Sequence, residues 1–317
     1  MRRLAVELSL IAVLLFSTLG VIVGQQGFEV TIADGANEGD ASPIQDHTWP
    51  LHRIGADIAI SENITGRGVR IAIIDTGIDY NHPDLKHSYR GGYDFVNGDD
   101  DPYDDNGHGT FVAGIIAGTI NGGKASLGAA PDVEIYAVKV MGANGRGSIG
   151  NIVKGIQWAI DHDIQIICMS LSTSTDSPAL REKLDEAYER GILLVAAAGN
   201  TGGRVTYPAR YGGVIAVGSV DEGNQTAKSS ATGPEVELVA PGVKVYSTIP
   251  GGNHTTWSGT SYAAGYVTGA LALLLSAHPH INSEKARSLL QEGAVDLGEP
   301  GRDIQYGFGL TYVAGSV

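Results

Sequence analysis

The chain has 317 residues, of which 43% are hydrophobic and 18% charged, and its formal net charge at pH 7 is −14. This length suffices for one large domain with a substantial core, and the negative charge argues against nucleic acids and anionic membrane surfaces as partners. The single cysteine, Cys168, excludes an internal disulfide and a cysteine-based zinc site. Its apolar neighbours indicate a buried core thiol.

Residues 1–24 have the features of a secretory signal. Two arginines precede an apolar run from Leu8 to Val23, and polar residues follow Gly24. The run is short for a membrane-spanning helix, but an uncleaved N-terminal anchor that tethers the protein to a membrane is an alternative, and a buried core helix is another. We expect export, which makes the protein secreted or extracellular.

Residues 25–43 are polar and rich in glycine and aspartate, which indicates a short linker. About twenty residues are too few to build a separate hydrophobic core, so we expect no folded pro-domain in this segment. Residues 44–317 show no break in composition and no internal repeat. We predict a single domain over this range, present as a monomer.

Strands and helices alternate along this domain. The predicted strands, all compact apolar runs, are 69–75, 134–140, 164–170, 192–199 and 214–220. The predicted helices are 148–160 and 177–191, with Ser148 and Ser177 placed to cap them. Continuous apolar strands that alternate with helices are typical of a parallel sheet buried on both faces. The predicted fold is therefore an α/β, three-layer domain with a mainly parallel central sheet flanked by helices on both faces.

Four polar residue types stand at the boundaries of these elements. Asp75, Ser170 and Asn200 follow strands, His108 lies in the glycine-rich segment DDNGHGTFVAG, and Ser261 precedes a small-residue apolar helix. Each alone is compatible with a turn or a helix cap. In parallel sheets, however, ligands bind outside the carboxyl ends of the strands, and Asp, His, Ser and an amide together are the groups that acyl transfer requires. The serine lacks the second glycine of a G-x-S-x-G elbow, which disfavours an α/β-hydrolase.

Three segments carry a resemblance to a known family: IAIIDTGID around Asp75, DDNGHGTFVAG around His108 and SGTSYAAG around Ser261. AAAGN, YPARYGGVIAVGSVD, VAPGV and YGFGL follow in matching order. Over about residues 44–317 the sequence resembles the subtilisin-like serine proteases, or subtilases. The resemblance implies a serine endopeptidase with an acyl-enzyme intermediate, in which His108 is the general base, Asp75 orients it and Ser261 is the nucleophile. Asn200 would donate to the oxyanion.

The resemblance also implies how substrate binds. In the family, two exposed segments pair with an extended polypeptide; here these residues are Gly145, Arg146, Gly147, Ser170, Leu171 and Ser172. Ser172 stands where glycine is usual. This substitution suggests an altered primary side-chain pocket, whereas Leu171 and the small residues 197–199 suggest an apolar pocket that prefers large apolar residues before the cleaved bond. A solvated loop residue is the alternative interpretation of Arg146.

An acidic run precedes His108 and predicts a structural Ca²⁺ site, since calcium prefers hard oxygen ligands. The pattern resembles a calcium loop of thermostable subtilases, with these ligands: Asp94, Asn97, Asp99, Asp101 and the carbonyl of Tyr103. A solvated acidic loop is the alternative. Asp84 and Asn121, together with Gln45, suggest a second site, although Lys124 in that loop repels a cation.

Some residues depart from the family pattern. Phe111 replaces a histidine, Tyr262 replaces the methionine after the nucleophile, and Gly265 and Tyr266 replace a Pro-His pair. We expect Tyr262 to crowd the leaving-group side and Gly265 to loosen the start of its helix. Two rival functions therefore stay open: a pseudoprotease or peptide-binding module on the same fold, and a serine hydrolase such as an esterase.

Overall fold

The computed structural model describes residues 29–32, 47–120 and 125–317. Its helices are α1 (Trp49–Ile54), α2 (Ala56–Ser61), α3 (His108–Ala117), α4 (Ile149–Asp161), α5 (Pro178–Glu189), α6 (Thr260–Ala277) and α7 (Ser283–Glu292). Its strands are β1 (Glu29–Ile32), β2 (Arg70–Asp75), β3 (Tyr89–Asp94), β4 (Thr119–Ile120), β5 (Ala125–Ser126), β6 (Glu134–Lys139), β7 (Arg146–Ser148), β8 (Ile166–Met169), β9 (Leu171–Ser172), β10 (Leu193–Ala197), β11 (Val214–Val220), β12 (Val236–Pro241), β13 (Val245–Ile249) and β14 (Asn253–Trp257).

Seven strands form the central sheet, in the order β12-β11-β10-β8-β2-β6-β3. Every neighbouring pair in it is parallel. The chain enters at β2, places β3 and β6 on one side, and then returns to add β8 and the remaining strands on the other. The strand order therefore reverses around β2, and such a switch point is where open parallel sheets bind ligands.

Alternate residues of each strand pack on opposite faces of the sheet. In β2, Ile71 and Ile73 contact one apolar core, which includes α3 and α6. Ala72 and Ile74 contact a second core on the other face, which includes α4 and α5. Because both faces are covered, the strands are apolar throughout. The predicted three-layer α/β fold is confirmed, and Cys168 is fully buried in the first core, where burial raises its thiol pKa to about 11.

The sequence predicted α4 and α5 with their caps. Ser148 accepts a hydrogen bond from the Asn151 backbone N–H, and Ser177 accepts one from Leu180 N–H. These bonds satisfy N–H groups that a helix leaves unpaired in its first turn. The ends of the helices differ from the predicted ends by one or two residues.

One long apolar helix lies inside the domain. Among the described residues, α6 alone is long and apolar enough to cross a membrane, yet 83% of it is buried in the protein. Its small residues permit close packing. A Cβ on Gly265 would lie 2.9 Å from Ile115 Cγ2 of α3. Gly265 is the sixth residue of α6, where it allows the two helices to approach each other.

A small three-stranded sheet stands apart from the central one. β1 lies between β7 and β9 and is antiparallel to both. Residues 1–28 and 33–46 lie outside the described residues, so the predicted signal and anchor are not represented here. Residues 29–32 fall within the predicted linker but form the strand β1, because their backbone pairs with β7 and β9.

Candidate active site

Asp75 and His108 meet at the carboxyl edge of the central sheet. Asp75 is the last residue of β2 and His108 the first of α3, and both side chains are buried. His108 Nδ1 lies 2.8 Å from Asp75 Oδ1, which also accepts the Thr76 backbone N–H at 2.7 Å. Because a carboxylate only accepts, the imidazole proton sits on Nδ1. When the ring is neutral, Nε2 is therefore the nitrogen without a proton.

Glycine allows α3 to lie this close to β2. Gly107 precedes the helix with a left-handed φ of 112°. A Cβ on Gly109 would lie only 2.1 Å from the carbonyl oxygen of Gly77. The Gly109 N–H also donates to Thr76 Oγ1 at 2.9 Å. Gly107 and Gly109, on either side of His108, therefore allow the His108 ring to reach the end of β2.

Asp104 fixes the same helix start, although the sequence analysis did not identify it. Its buried carboxylate accepts N–H groups of Asn106, Gly107 and Thr110, at 3.0, 2.8 and 2.8 Å. It also accepts the hydroxyls of Thr76 and Thr110. An aspartate three residues before the glycine at a helix start was the available signal. Charged hydrogen bonds of this kind hold the loop rigidly.

Lys139 is a second residue that sequence reasoning missed. It ends β6, is buried, and its Nζ donates to Thr76 O and Asp105 Oδ1, each at 2.6 Å. A buried ammonium needs such partners. The acidic run before His108 has no basic residue within it, but the fold supplies this lysine from β6. Part of its negative charge is therefore compensated.

Ser261 is the second residue of the buried helix α6 and lies beside the end of β8. Its Oγ donates to the carbonyl of Ser170 at 3.3 Å, and Ser170 Oγ donates to the carbonyl of Ser261 at 2.9 Å. These reciprocal bonds join the helix start to the residue between β8 and β9. Ser261 thus lies at the same sheet edge as Asp75 and His108.

Asn200 lies in the loop after β10 and is oriented by the residue before Ser261. The Thr260 backbone N–H lies 3.0 Å from Asn200 Oδ1. A backbone N–H can only donate, so the amide oxygen must face Thr260 and the NH₂ group faces away from it. Thr260 Oγ1 in turn accepts the Gly199 N–H at 3.2 Å. The two loops are therefore held together at this point.

The two predicted substrate segments flank an extended peptide from the chain itself. Val30 is paired with Gly147, and Thr31 is paired with both Arg146 and Ser172. The Ile32 N–H donates to Gly145 O at 3.1 Å. Val30 is fully buried in an apolar pocket that includes Leu171. Strand addition of this kind is how extended peptides bind to exposed backbone edges.

The unusual aromatic residues pack against one another. Phe111 stacks on Trp257 with ring centroids 4.6 Å apart and contacts Tyr262 at 4.5 Å. Tyr262 is buried, and its ring centroid lies 5.8 Å from that of His108. Phe111 and Tyr262 thus fill a common space. A cavity of about 360 Å³ lies next to His108, and its lining includes Gly107, Ile249 and Trp257.

The proposed calcium loop folds around Asp94. Its buried carboxylate accepts the N–H groups of Val96 and Asn97 at 2.6 and 3.0 Å, and the Asn97 amide at 3.0 Å. Asp94 and Asn97 therefore lie together, but Asn97 presents its NH₂ group to Asp94, and both carboxylate oxygens of Asp94 accept N–H groups in this arrangement. Asp101 instead accepts the Tyr80 hydroxyl at 2.7 Å, while Asp99 accepts the Asp101 N–H. The Tyr103 carbonyl oxygen packs against Gly77: a Cβ built on Gly77 would lie 2.9 Å from it.

At the second predicted metal site, Asp84 lies beside two histidines. Within the described ranges, the ligand atoms of His82, Asp84 and His254 lie within 4.8 Å of one another. His82 Nδ1 accepts the Asp84 N–H at 3.1 Å and Nε2 lies 3.0 Å from Asn253 O, so both ring nitrogens are already engaged. Asp84 Oδ2 pairs with His254 Nε2 at 3.0 Å. Asn121, Gln45 and Lys124 fall outside the described residues.

Comparison with known proteins agrees with this architecture. Residues 66–309 match the Subtilase family. The chain is 42% identical to alkaline elastase YaB of Bacillus sp. (strain YaB) over 274 residues, which is 86% of this chain and 71% of that protein. It is 42% identical to Subtilisin Savinase of Lederbergia lenta over 263 residues, 83% of this chain and 95% of that protein. It is also 43% identical to Subtilisin E of Bacillus subtilis (strain 168) over 271 residues, 84% and 70% of the two chains.

A family match over most of the domain, and this identity over 95% of Subtilisin Savinase, agree with the parallel sheet and with the site at its carboxyl edge. The chain belongs to the subtilase family of serine endopeptidases.

Proposed function

We propose that this serine endopeptidase is secreted and hydrolyses peptide bonds with Asp75, His108 and Ser261 as its catalytic triad. The observation that carries the proposal is the buried Asp75–His108 hydrogen bond at the carboxyl edge of the sheet. Ser261 lies in the first turn of α6 at that same edge. The groove between β7 and β9, which β1 occupies, lies beside it. Its substrates are polypeptides.

The reaction follows from the proton positions. His108 Nε2 takes the proton of Ser261 Oγ while that oxygen attacks the peptide carbonyl carbon, which gives a tetrahedral oxyanion. Collapse breaks the C–N bond, and the imidazolium returns the proton to the leaving amine. Water then attacks the acyl-serine ester through the same base and releases the acid. Asp75 holds the imidazole in one tautomer and stabilises its positive charge throughout.

Asn200 is the proposed side-chain donor to the oxyanion. Its oxygen accepts the Thr260 N–H, so the NH₂ group is the end of the side chain that donates. The Ser261 backbone N–H, at the N-terminus of α6, is the proposed second donor. Fixed donors of this kind stabilise charge that develops only in the transition state.

Hydrolysis of casein by the purified full chain tests the triad. Ser261→Ala is expected to abolish most of the activity while the thermal unfolding curve stays unchanged. Ser276→Ala, in the same helix but in its last turn, is the matched control and should keep the activity. Casein cleavage by Ser261→Ala at the wild-type rate would overturn the assignment.

One observation favours the rival function, a peptide-binding module. The groove already holds β1 of the same chain, as a binding module would hold a peptide. A fluorophosphonate reagent separates the two, because it modifies only a serine activated by an assembled triad. Labelling of Ser261 supports the endopeptidase, and a folded protein that is not labelled would support the binding module. An esterase would be labelled but would leave casein intact.

Export and calcium binding are part of the same proposal. The N-terminal sequence supports export, since a basic start and an apolar run precede a polar segment. N-terminal sequencing of the protein from culture medium tests it, because a cleaved signal predicts a start near residue 25. An intact N-terminus in the membrane fraction would show that the segment is an anchor.

A further inference from the structure

The strand β1 shows which side chains the groove accepts. In this antiparallel arrangement alternate side chains point to opposite sides. Val30 is fully buried in its pocket, whereas Glu29, one residue before it, is 54% exposed. The Glu29 carboxylate pairs with the Arg146 guanidinium, with Oε1 and Nη1 2.5 Å apart. The strand is therefore held by one buried apolar anchor and one charged contact on the rim.

Arg146 belongs to the wall of the groove. It is the first residue of β7, and its backbone is paired with Thr31 of β1. Its carbonyl accepts the Gly142 N–H at 3.0 Å, and its own N–H is bonded to Asn144 Oδ1 at 3.1 Å. The backbone geometry is thus set by the loop, and the side chain is left to contact the occupant. The side chain is 56% exposed, and the pairing of its guanidinium with Glu29 places a positive charge at a defined position along the peptide.

The protein around Arg146 is negatively charged, so the positive charge of Arg146 contrasts with that background at this position of the groove. The chain carries a formal net charge of −14. The acidic run before His108 is joined to the groove wall, because Asn106 Nδ2 donates to Ala143 O at 3.0 Å. Acidic peptides are therefore repelled by the domain as a whole, and a basic residue on the rim offsets this repulsion at one position.

From the ion pair and the strand register we infer that Arg146 determines specificity. It selects substrates with an acidic side chain one residue before the apolar side chain that fills the Val30 pocket. This inference rests on the proposed function, because it describes the substrate groove of that activity. Glu29 and Val30 of β1 are an internal copy of the preferred pattern.

A charge-swap cycle in the full chain tests the contact without catalysis. In a Ser261→Ala background, hydrogen exchange of the amides in residues 29–32 reports how often β1 leaves the groove. Glu29→Lys and Arg146→Glu should each speed this exchange about two- to fivefold, as expected for an exposed ion pair. The double variant should restore the slow rate. Arg67→Glu is the matched control, since Arg67 is exposed and pairs with Asp132 near the start of β6.

Peptide competition tests the substrate preference. The probe is the decapeptide of residues 27–36, GFEVTIADGA, with Glu, Gln or Lys at the position of Glu29, competing with casein for the active full chain. With Arg146 the Glu peptide should inhibit about two- to fivefold better than the Gln peptide. Arg146→Glu should invert the order so that the Lys peptide is best. The preference should fade at 1 M salt, where screening is strong.

The two readouts separate failure of the inference from failure of the proposed function. If the exchange cycle behaves as expected but the wild type cleaves no casein, Arg146 still recognises acidic residues and the endopeptidase assignment fails. If the wild type is active but Arg146→Glu changes neither the exchange rate nor the order of the peptides, the inference is overturned.

Discussion

At the residue scale, the oxygen and the NH₂ group of the Asn200 side chain have different roles. Asn200 Oδ1 is engaged by the Thr260 N–H, so only its NH₂ group can face a substrate oxyanion. Asn200→Asp keeps the size and the bond to Thr260 but replaces the donor with an oxygen. We expect kcat to fall about 10²–10³-fold with little change in KM, because the contact exists only in the transition state.

Steady-state kinetics on one peptide substrate would measure this loss. Asn200→Ala should lose a similar factor, since it also removes the donor. A rise in KM with kcat intact would show instead that Asn200 binds the ground state of the substrate. A fall in unfolding temperature that accounts for the lost activity would point to a structural role.

The residues that sequence reasoning found and those it missed differ in a physical way. Asp75, His108 and Ser261 stand at element boundaries in short recognisable segments, so the sequence alone indicates them. Lys139 was missed because it is the last residue of an apolar strand, where nothing local shows that its ammonium will meet Asp105. Contacts between residues far apart in the chain depend on the packing of whole elements, which local patterns do not record.

At the scale of elements, the approach of α3 to β2 depends on Gly109. A Cβ there would lie 2.1 Å from the backbone oxygen of Gly77, which cannot move without displacing the strand end. Gly109→Ala should therefore destabilise the fold by about 3 kcal/mol or more and separate His108 from Asp75. We expect a lower unfolding temperature and a loss of casein hydrolysis.

Gly150→Ala is the matched control for this prediction. Gly150 is an exposed residue of α4, and a Cβ there would have Ser148 Oγ as its nearest neighbour at 3.8 Å. Alanine should stabilise that helix by up to about 1 kcal/mol. Equal unfolding temperatures for Gly109→Ala and the wild type would mean that α3 does not pack against β2 as described.

The occupant of the groove should restrain activity. Val30 buries its side chain completely, which contributes about 1.5–3 kcal/mol. Val30→Asp would bury a carboxylate there instead, so we expect β1 to leave the groove and casein hydrolysis to rise by about tenfold or more. Thr31→Ser, at an exposed position of the same strand, should leave the rate unchanged. A Val30→Asp variant as slow as the wild type would show that β1 does not compete with substrate.

The elements themselves were predictable to different degrees. The buried strands β2, β6, β8, β10 and β11 are compact apolar runs, and the sequence predicts each of them within one or two residues. β3 was not predicted, because its sequence YRGGYD is not an apolar run. Gly92 is needed there because the Ala137 backbone of β6 leaves no room for a Cβ, which no local pattern indicates. The edge position explains its polarity, since an edge strand is only partly covered.

At the scale of the whole molecule, calcium binding remains a prediction, and the unfolding temperature of the protein tests it. A ligand that binds only the native state stabilises it by about 2.7 kcal/mol at a hundredfold excess over Kd, which is a rise of several degrees for a domain of this size. Chelation should lower the unfolding temperature of the wild type accordingly. Asp99→Ala combined with Asp101→Ala should remove most of this calcium response.

Two controls make this measurement specific. Asp100→Ala removes one negative charge from the same exposed loop, and Tyr80→Phe removes the hydroxyl that Asp101 accepts. Both should keep the calcium response. A full response in the variant that lacks both Asp99 and Asp101 would identify the acidic run as a solvated surface.

The pairing of β1 with β7 and β9 has a consequence for how the enzyme responds to dilution. Residues 33–46 connect β1 covalently to the domain, so the strand meets the groove at an effective concentration that for short linkers is of the order of millimolar. That value is independent of the protein concentration. Blocking by β1 is therefore constant however dilute the intact enzyme becomes. Once a single bond within residues 33–46 is cut, β1 becomes part of a separate peptide, and its binding to the groove then depends on the concentration of that peptide.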